Sequence, residues 1–478
     1  MSSLILIFAP IFLSGFIYLA TKKTDITKYL ALGFFIFLLF KSVLLYNVLP
    51  TSGYMLLGEF LKVPQFSFTL TLQVDHLSVI MLILTSILLI LVTLSSWSMK
   101  NQAGYFALLI FFSGAIFGVF MSTNLLWFFI FWELTLIPMY FLIGIWGAEK
   151  RVFAAVKFFL YTHVASMLIL LAFFLLFKQT GTFELTMIKE VVLVTPTLIW
   201  WLLFLGFAVK MPLFPFHTWL PDAHVQAPAP ISVLLAGVLL KMGAYAMIRF
   251  VIFLMPEESQ KYAFVLLALG IISLLYAGFM ALYETHLKKM VAYSSISHMG
   301  LVAIAMSTLS YEGLSASLFE MIGHAFIISP LFLIAGFLHH KTSSWYMKDM
   351  GGIMQKAPYI SAIFVFAGLG ALGLPSTMGF IGEITILLSS MKAYGVWVGI
   401  IVLGSIIASS YIIWTMRRVI YGSMSEVVAK TDFTINRVEF FALCIFTFVI
   451  LFFGLYPAPL FDVINQAFGS MQSLGGVK

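Results

Sequence analysis

The chain has 478 residues, 62% of them hydrophobic and 9% charged, with a mean hydropathy of +1.08 and a formal charge of +7. That much apolar surface excludes a soluble globular domain, and continuous apolar runs of about eighteen residues or more exclude a β-barrel, whose strands alternate every second residue. A single cysteine, Cys444, excludes a disulfide framework and any thiolate-held metal or iron–sulfur centre within the chain, and the basic excess sits in loops with no nucleic-acid signature.

Windows long enough to cross about 30 Å of hydrocarbon predict an all-α polytopic membrane protein of about 14 transmembrane helices. They lie near 3–20, 28–46, 74–98, 103–122, 124–147, 152–177, 197–220, 229–254, 262–283, 288–308, 313–339, 358–391, 394–420 and 437–460. The run Ser2 to Ala20 has no charge ahead of it and no small-residue cleavage pattern after it, so it reads as the first span and not a signal peptide. Loops after odd-numbered spans carry most of the basic residues, among them Lys22, Lys23, Lys100, Lys150, Lys288 and Arg417. Loops after even-numbered spans carry mainly Lys62, Lys178, Lys189, Lys261 and Lys392. Basic loops stay in the cytoplasm, which places both termini outside.

Two spans are broken from within. Pro212 and Pro215 interrupt the seventh, and Pro375 interrupts the twelfth among five glycines in GLGALGLPSTMGFIGE, since proline lacks an N–H and clashes with the carbonyl four residues back. Freed backbone groups at membrane depth need protein or water around them, so both breaks predict a polar interior. Pro212 and Pro375 are 163 positions apart, and AVKFFLYTH ending at His163 aligns with SLFEMIGH ending at His324 at an offset of 161. Paired discontinuous helices mark inverted repeats. The expected organisation is three N-terminal helices in 1–102, a first five-helix repeat in 103–255, a second, inverted repeat in 256–421, and a last helix with its tail in 422–478.

Ionisable residues inside such spans are costly, at least about 2.5 kcal/mol each on insertion scales, and are functional candidates by default. Glu133 lies mid-span in the fifth helix. Lys210 stands immediately before the Pro212 break and Lys241 in the next helix, so the two are expected to approach one another, each disfavouring the other's charge while Glu133 supports it. A lysine that alternates between carboxylate-paired and separated is a proton-transfer switch. His163, His298 and His324 lie in apolar spans and read either as satisfied core residues or as a relay, because imidazole can accept a proton on one nitrogen while donating from the other. They lack the i, i+4 spacing of a helical metal-ligand pair. Glu383 follows the second break. His217, Asp222 and His224 lie at the cytoplasmic end of the broken seventh helix, where they either admit protons or cap the turn. Lys157 and Glu320 read as structural pairs or snorkelling residues.

The runs LGFAVKMPLFPFHTWLPDAHVQAPAPISVLLAGVLLKMGAYAMIRF, LLWFFIFWELTLIPMY, LKKMVAYSSISHMG and LPSTMGFIGE closely resemble the antiporter-like membrane-arm subunits of bacterial respiratory complex I, NADH:quinone oxidoreductase, a family related to Mrp-type sodium/proton antiporters. The resemblance covers most of the chain and is weakest before about residue 70 and after about residue 420. It implies a fourteen-helix core with two inverted five-helix repeats, and a proton path through Glu133, Lys210, Lys241 and Glu383, with His298 and His324 in the second half-channel and His163, His217, Asp222 and His224 as secondary members. It also implies that this chain holds no cofactor, NADH, FMN, iron–sulfur clusters and quinone being bound by partner subunits. The neighbours would be L-like and N-like membrane-arm subunits and lipid, in the bacterial inner membrane with the termini on the periplasmic side. The twelfth-helix position is typically lysine in L- and N-type members and glutamate in M-type members, so Glu383 points to the M type. The end of the chain about 18 residues after its last span, with no room for a long lateral helix, points the same way. The rivals are a stand-alone or Mrp-type Na+/H+ antiporter subunit and a structural or quinone-binding scaffold.

Overall fold

The computed structural model describes residues 2–21, 26–50, 53–63, 68–99, 103–189 and 191–472. In chain order the main elements are α1 (Ser2–Thr21), α2 (Ile26–Val48), β1 (Met55–Val63), β2 (Phe68–Val74), α3 (His76–Ser95), α4 (Ala103–Met121), α5 (Leu125–Trp146), α6 (Arg151–Thr180), α7 (Pro196–Lys210) and α8 (Trp219–Gln226). They continue with α9 (Ala229–Ile252), α10 (Pro256–Tyr283), α11 (Leu287–Ser307), α12 (Tyr311–Thr342), α13 (Pro358–Ala371), α14 (Met378–Tyr394), α15 (Gly399–Tyr421), α16 (Arg437–Leu455) and α17 (Ala458–Gln472). Among the described residues 11 helices are long and apolar enough to cross a membrane, or up to 12 with the bent pair that ends in α13. The chain is a multi-pass membrane protein.

The expectation of helices alone needs a correction. β1 and β2 pair antiparallel, from Met55 opposite Val74 to Val63 opposite Phe68. The run FTLTLQV alternates at period two with β-branched and aromatic residues, a strand pattern. Thr71 of β2 donates to the Glu184 carboxylate at 2.8 Å, and the Asn124 amide donates to the same oxygen at 2.8 Å, which ties the hairpin to the start of α5. Lys22, Lys23 and Lys100, part of the orientation argument, lie outside the described residues.

Layering follows from polarity. Every residue in the spanning windows of α9 and α11 is buried, whereas α2, α6, α10 and α16 stand at the periphery with apolar outward faces such as Val152, Leu160, Val164 and Leu171 of α6. The polar residues that a spanning chain has to hide are therefore gathered on the central helices. One buried pair is structural: Arg249 of α9 donates to Asp75 at 2.7 Å, to Ser78 at 3.1 Å and to the Tyr54 hydroxyl at 2.9 Å. With both ends of the pair almost fully buried, removing one partner would strand a charge at a cost of about 3–5 kcal/mol. It pins α9 to the start of α3 beside the hairpin.

Candidate functional site

Both helix breaks occur where the prolines require them. α7 ends at Lys210, and because Pro212 has no N–H the Ala208 carbonyl is met instead by the Leu213 N–H at 3.0 Å. The Val209 carbonyl accepts from the Trp219 indole at 2.9 Å, and the Phe214 N–H donates to Ser273 at 2.8 Å, so side chains satisfy what the break frees. The second break separates α13 from α14. Its turn carries Gly373 at φ +73°, where a Cβ would stand 2.9 Å from a Glu383 oxygen, so only glycine lets the backbone close over that carboxyl.

Around the first break the groups are loosely held. Lys210 is 1% exposed, its ammonium has no hydrogen-bond partner among the described residues, and it lies over the rings of Trp132 at 5.6 Å and Phe158 at 5.5 Å. Glu133 is the charged group that acts on it, but that carboxylate is engaged elsewhere: His163 donates from Nδ1 to Glu133 Oε2 at 2.6 Å. The pair is partly exposed, His163 at 40% and Glu133 at 21%, on the outward side of α6.

Lys241 is the start of a connected series. It lies in a helix interrupted on both sides by π-helical turns, Leu235–Leu239 and Met247–Ile252, a geometry that recurs at functional positions because it releases backbone carbonyls. Its ammonium donates to the Ala236 carbonyl at 2.5 Å and to His324 Nδ1 at 2.7 Å. An acceptor at Nδ1 leaves the proton of neutral His324 on Nε2, which is buried with no partner among the described residues. The ring lies 5.4 Å from that of His298, which donates from Nδ1 to Glu320 at 3.0 Å. Glu320 and His298 are in turn the polar groups whose electrostatics reach Glu383, which is 8% exposed. Gly382 lets Glu320 reach the neighbouring helix, since a Cβ there would stand 2.2 Å from Glu320 Oε2.

The structure thus places Lys241, His324, His298 and Glu383 together, and Lys210 with Glu133 and His163. Two expectations change. The lysine backbones do meet, with Gly243 so close to α7 that a Cβ would lie 2.7 Å from the Met211 nitrogen. The ammonium groups, however, face different neighbours, each acted on by its own carboxylate, Glu133 for Lys210 and Glu320 for Lys241. Glu320, read from sequence as a snorkelling or structurally paired residue, is 2% exposed within α12 and pairs with His298 at 3.0 Å. Its i, i+4 relation to His324 was the signal that could have found it.

The secondary residues separate. His224 is fully buried, stacked on Phe332 at 4.5 Å, with both ring nitrogens unpartnered, and Lys288 and Lys241 are the charges beside it. Asp222 instead pairs with Lys157 at 2.6 Å. His217 stacks on Phe214 at 5.6 Å. Lys288, counted among loop residues in the sequence, is 1% exposed.

The model of the family described as "NADH:quinone oxidoreductase/Mrp antiporter, TM" matches residues 122–408, which include every residue of both clusters. The chain belongs to this family. Among curated members it is 37% identical over 398 residues to the NADH-quinone oxidoreductase subunit M of Rickettsia prowazekii (strain Madrid E), covering 82% of this chain and 81% of that one. To the subunit of the same name in Escherichia coli (strain K12) it is 36% identical over 428 residues, covering 86% and 84%. Two solved structures share the antiporter-family fold. A chain of respiratory complex I from Thermus thermophilus with bound NADH superposes with a TM-score of 0.88 at 24% identity, covering 99% of this chain and 100% of that one. A chain of the Mrp complex from Dietzia sp. DQ12-45-1b gives 0.87 at 16% identity, covering 99% and 98%.

Proposed function

We propose that this chain is a proton-translocating membrane-arm subunit of an NADH:quinone oxidoreductase, a non-redox component of a translocase. The observation that carries the reading is the buried series Lys241, His324, His298, Glu320 and Glu383, in which hydrogen bonds of 2.7 and 3.0 Å bracket two imidazole rings 5.4 Å apart. A proton leaving the Lys241 ammonium for His324 Nδ1 releases the Nε2 proton toward His298, whose Nδ1 proton passes to Glu320 and on to Glu383. Each group accepts on one side and donates on the other, as a relay requires. Lys210 and Glu133 feed this series from the first break, with His163 beside them. His224 stands nearest the Lys241 entrance, and His217 and Asp222 border the broken helix that leads to it.

The finer architecture belongs to the same reading. The 11 long spans, with α1, the broken pair α7/α8 and the broken pair α13/α14, make fourteen crossings. The two breaks fall in corresponding places of two inverted repeats, 103–255 and 256–421, flanked by 1–102 and 422–478. Redox cofactors and quinone belong to partner subunits, L-like and N-like chains flank this one in the bacterial inner membrane, and both termini face the periplasm.

The test is NADH-driven proton translocation in the reconstituted complex carrying Lys210→Met or Glu133→Gln. Pumping lost with assembly intact is the expected result; unchanged pumping overturns the reading. Sodium-dependent transport in vesicles without NADH would favour the Mrp-type antiporter instead. Sodium needs several oxygen ligands, whereas this series is mainly nitrogen bases.

A further inference from the structure

A cavity of about 810 Å³ opens at the end of the bundle where α3, α5 and α12 finish and α11 and α16 begin. Several side-chain acceptors of its wall are already engaged. The one lining carboxylate, Glu439, accepts through Oε1 from both the N–H and the hydroxyl of Ser98. The side-chain oxygen of Gln226 accepts from the Lys150 N–H at 2.8 Å, and that of Asn436 from the Val438 N–H at 2.9 Å. Both lining amides therefore have their NH2 groups left over as donors.

The charge on the wall has the matching sign. Lys288 is buried there, its ammonium donating to the Ala227 carbonyl and lying 5.2 Å from the Trp345 ring, and among the described residues no carboxylate pairs with it. His339 stacks on the same indole at 3.7 Å and keeps Nδ1 buried without a partner among the described residues. His340 and Lys341 complete the wall. His286 also stacks on Trp345, at 5.3 Å. A buried ammonium with one carbonyl and an aromatic face lacks a counter-charge. The surroundings offer donors and cations in the pattern that suits a phosphate oxyanion. The volume exceeds what a bare phosphate needs, and Trp146, Phe337 and Leu443 supply apolar wall for an attached organic group.

We propose that this vestibule binds a phosphate-bearing anion, its phosphate held by Lys288, Lys341 and the amide groups of Gln226 and Asn436. Two sources share that chemistry, the headgroup of an anionic phospholipid and a free phosphate, and basic pockets between spanning helices are known to take the former. The site lies outside the Lys241 to Glu383 series and is read without turnover, so it stands or falls separately from proton translocation.

The test uses the whole purified complex, delipidated in detergent. One arm measures radiolabelled inorganic phosphate by equilibrium dialysis. The other supplies phosphatidylglycerol or phosphatidylcholine in mixed micelles and counts retained lipid by mass spectrometry. Asn436→Asp keeps the helix cap while replacing a donor with a negative charge, and Lys341→Gln removes a cation from the rim. Saturable phosphate binding identifies a free anion, and phosphatidylglycerol retained over phosphatidylcholine identifies a headgroup. Either one, weakened about tenfold or more by each substitution, supports the site. Equal retention of the two lipids without saturable phosphate binding overturns it, as does binding that neither substitution weakens.

Discussion

Lys210 and Lys241 are both buried ammonium groups beside a disturbed helix, yet the protein around them differs. Lys210 ends its helix, has no hydrogen-bond partner and faces two aromatic rings, while its carboxylate is held by a half-exposed histidine. Lys241 is held by a carbonyl and an imidazole and opens a buried series that ends at a carboxyl. A group without a fixed partner has little to lose by moving. A group already hydrogen-bonded to an imidazole has its proton acceptor in place. The first region is therefore suited to responding to its surroundings and the second to conducting, and the apolar outward face of α6, on which the Glu133–His163 pair emerges, is where the surroundings act.

The largest expected effect comes from cutting the conducting region at its start. Lys241→Met keeps the volume and removes the proton carrier bonded to both Ala236 and His324, and NADH-driven pumping should fall by more than about tenfold, since an interaction of a kcal/mol or two corresponds to that factor. Quantifying the assembled complex on a native gel guards against a folding defect. Residual pumping near the wild-type rate would mean that Lys210 reaches the histidines directly, and the contrast between the regions would be lost.

Glu320→Gln is next. The amide oxygen still accepts from His298 but carries no charge and no proton, so assembly should hold while pumping drops by about fivefold to tenfold. Glu320→Ala, by contrast, is expected to destabilise the complex by up to about 3 kcal/mol, because it strands the His298 donor in a buried site. A Gln variant that pumps normally would restore the sequence-based view of Glu320 as a structural residue.

That view shows what a sequence can and cannot reveal here. Lys210, Lys241, Glu383 and the three histidines announce themselves because an ionisable residue inside an apolar run has a high cost, and the two breaks because proline has a fixed geometry. Glu320 carries the same cost, but which face of α12 turns inward is a packing fact, and a chain that reads apolar almost all round gives no stripe by which to choose. Lys288 reads as a loop residue because it stands at a helix start, and only the fold around Trp345 buries it. The hairpin was visible as alternation in FTLTLQV, yet its short length is overshadowed by long spans on either side. The lysine pair is a related case: a short connection brings backbones together, as the close approach of Gly243 shows, but does not say where two four-carbon side chains point.

Gly243→Ala probes that contact. A Cβ 2.7 Å from the Met211 nitrogen and 2.9 Å from the Lys210 carbonyl carbon meets backbone that cannot yield, so α7 and α9 must separate at a cost of about 1–3 kcal/mol. The expected outcome is a complex with a lower unfolding temperature and pumping reduced severalfold, because the Lys210 end shifts relative to Lys241. Unchanged stability would mean that the broken helix has slack, and the two regions would be less firmly joined than this approach implies.

His163→Gln should have the smallest effect and bears most directly on the difference between the regions. The His163–Glu133 pair is partly exposed on the outward face of a spanning helix, and glutamine can still donate to the carboxylate from its amide. If histidine only holds Glu133 in place, pumping should fall by no more than about twofold, and its pH profile should keep its shape, since Glu133 and Lys210 remain. If histidine itself carries the proton, the loss should approach that of Lys241→Met, and the pH profile should change shape. The second outcome would make the first region a relay equal in kind to the second, and the unpartnered ammonium of Lys210 would then be a gap in a conductor, to be closed by a small movement of Glu133 away from His163.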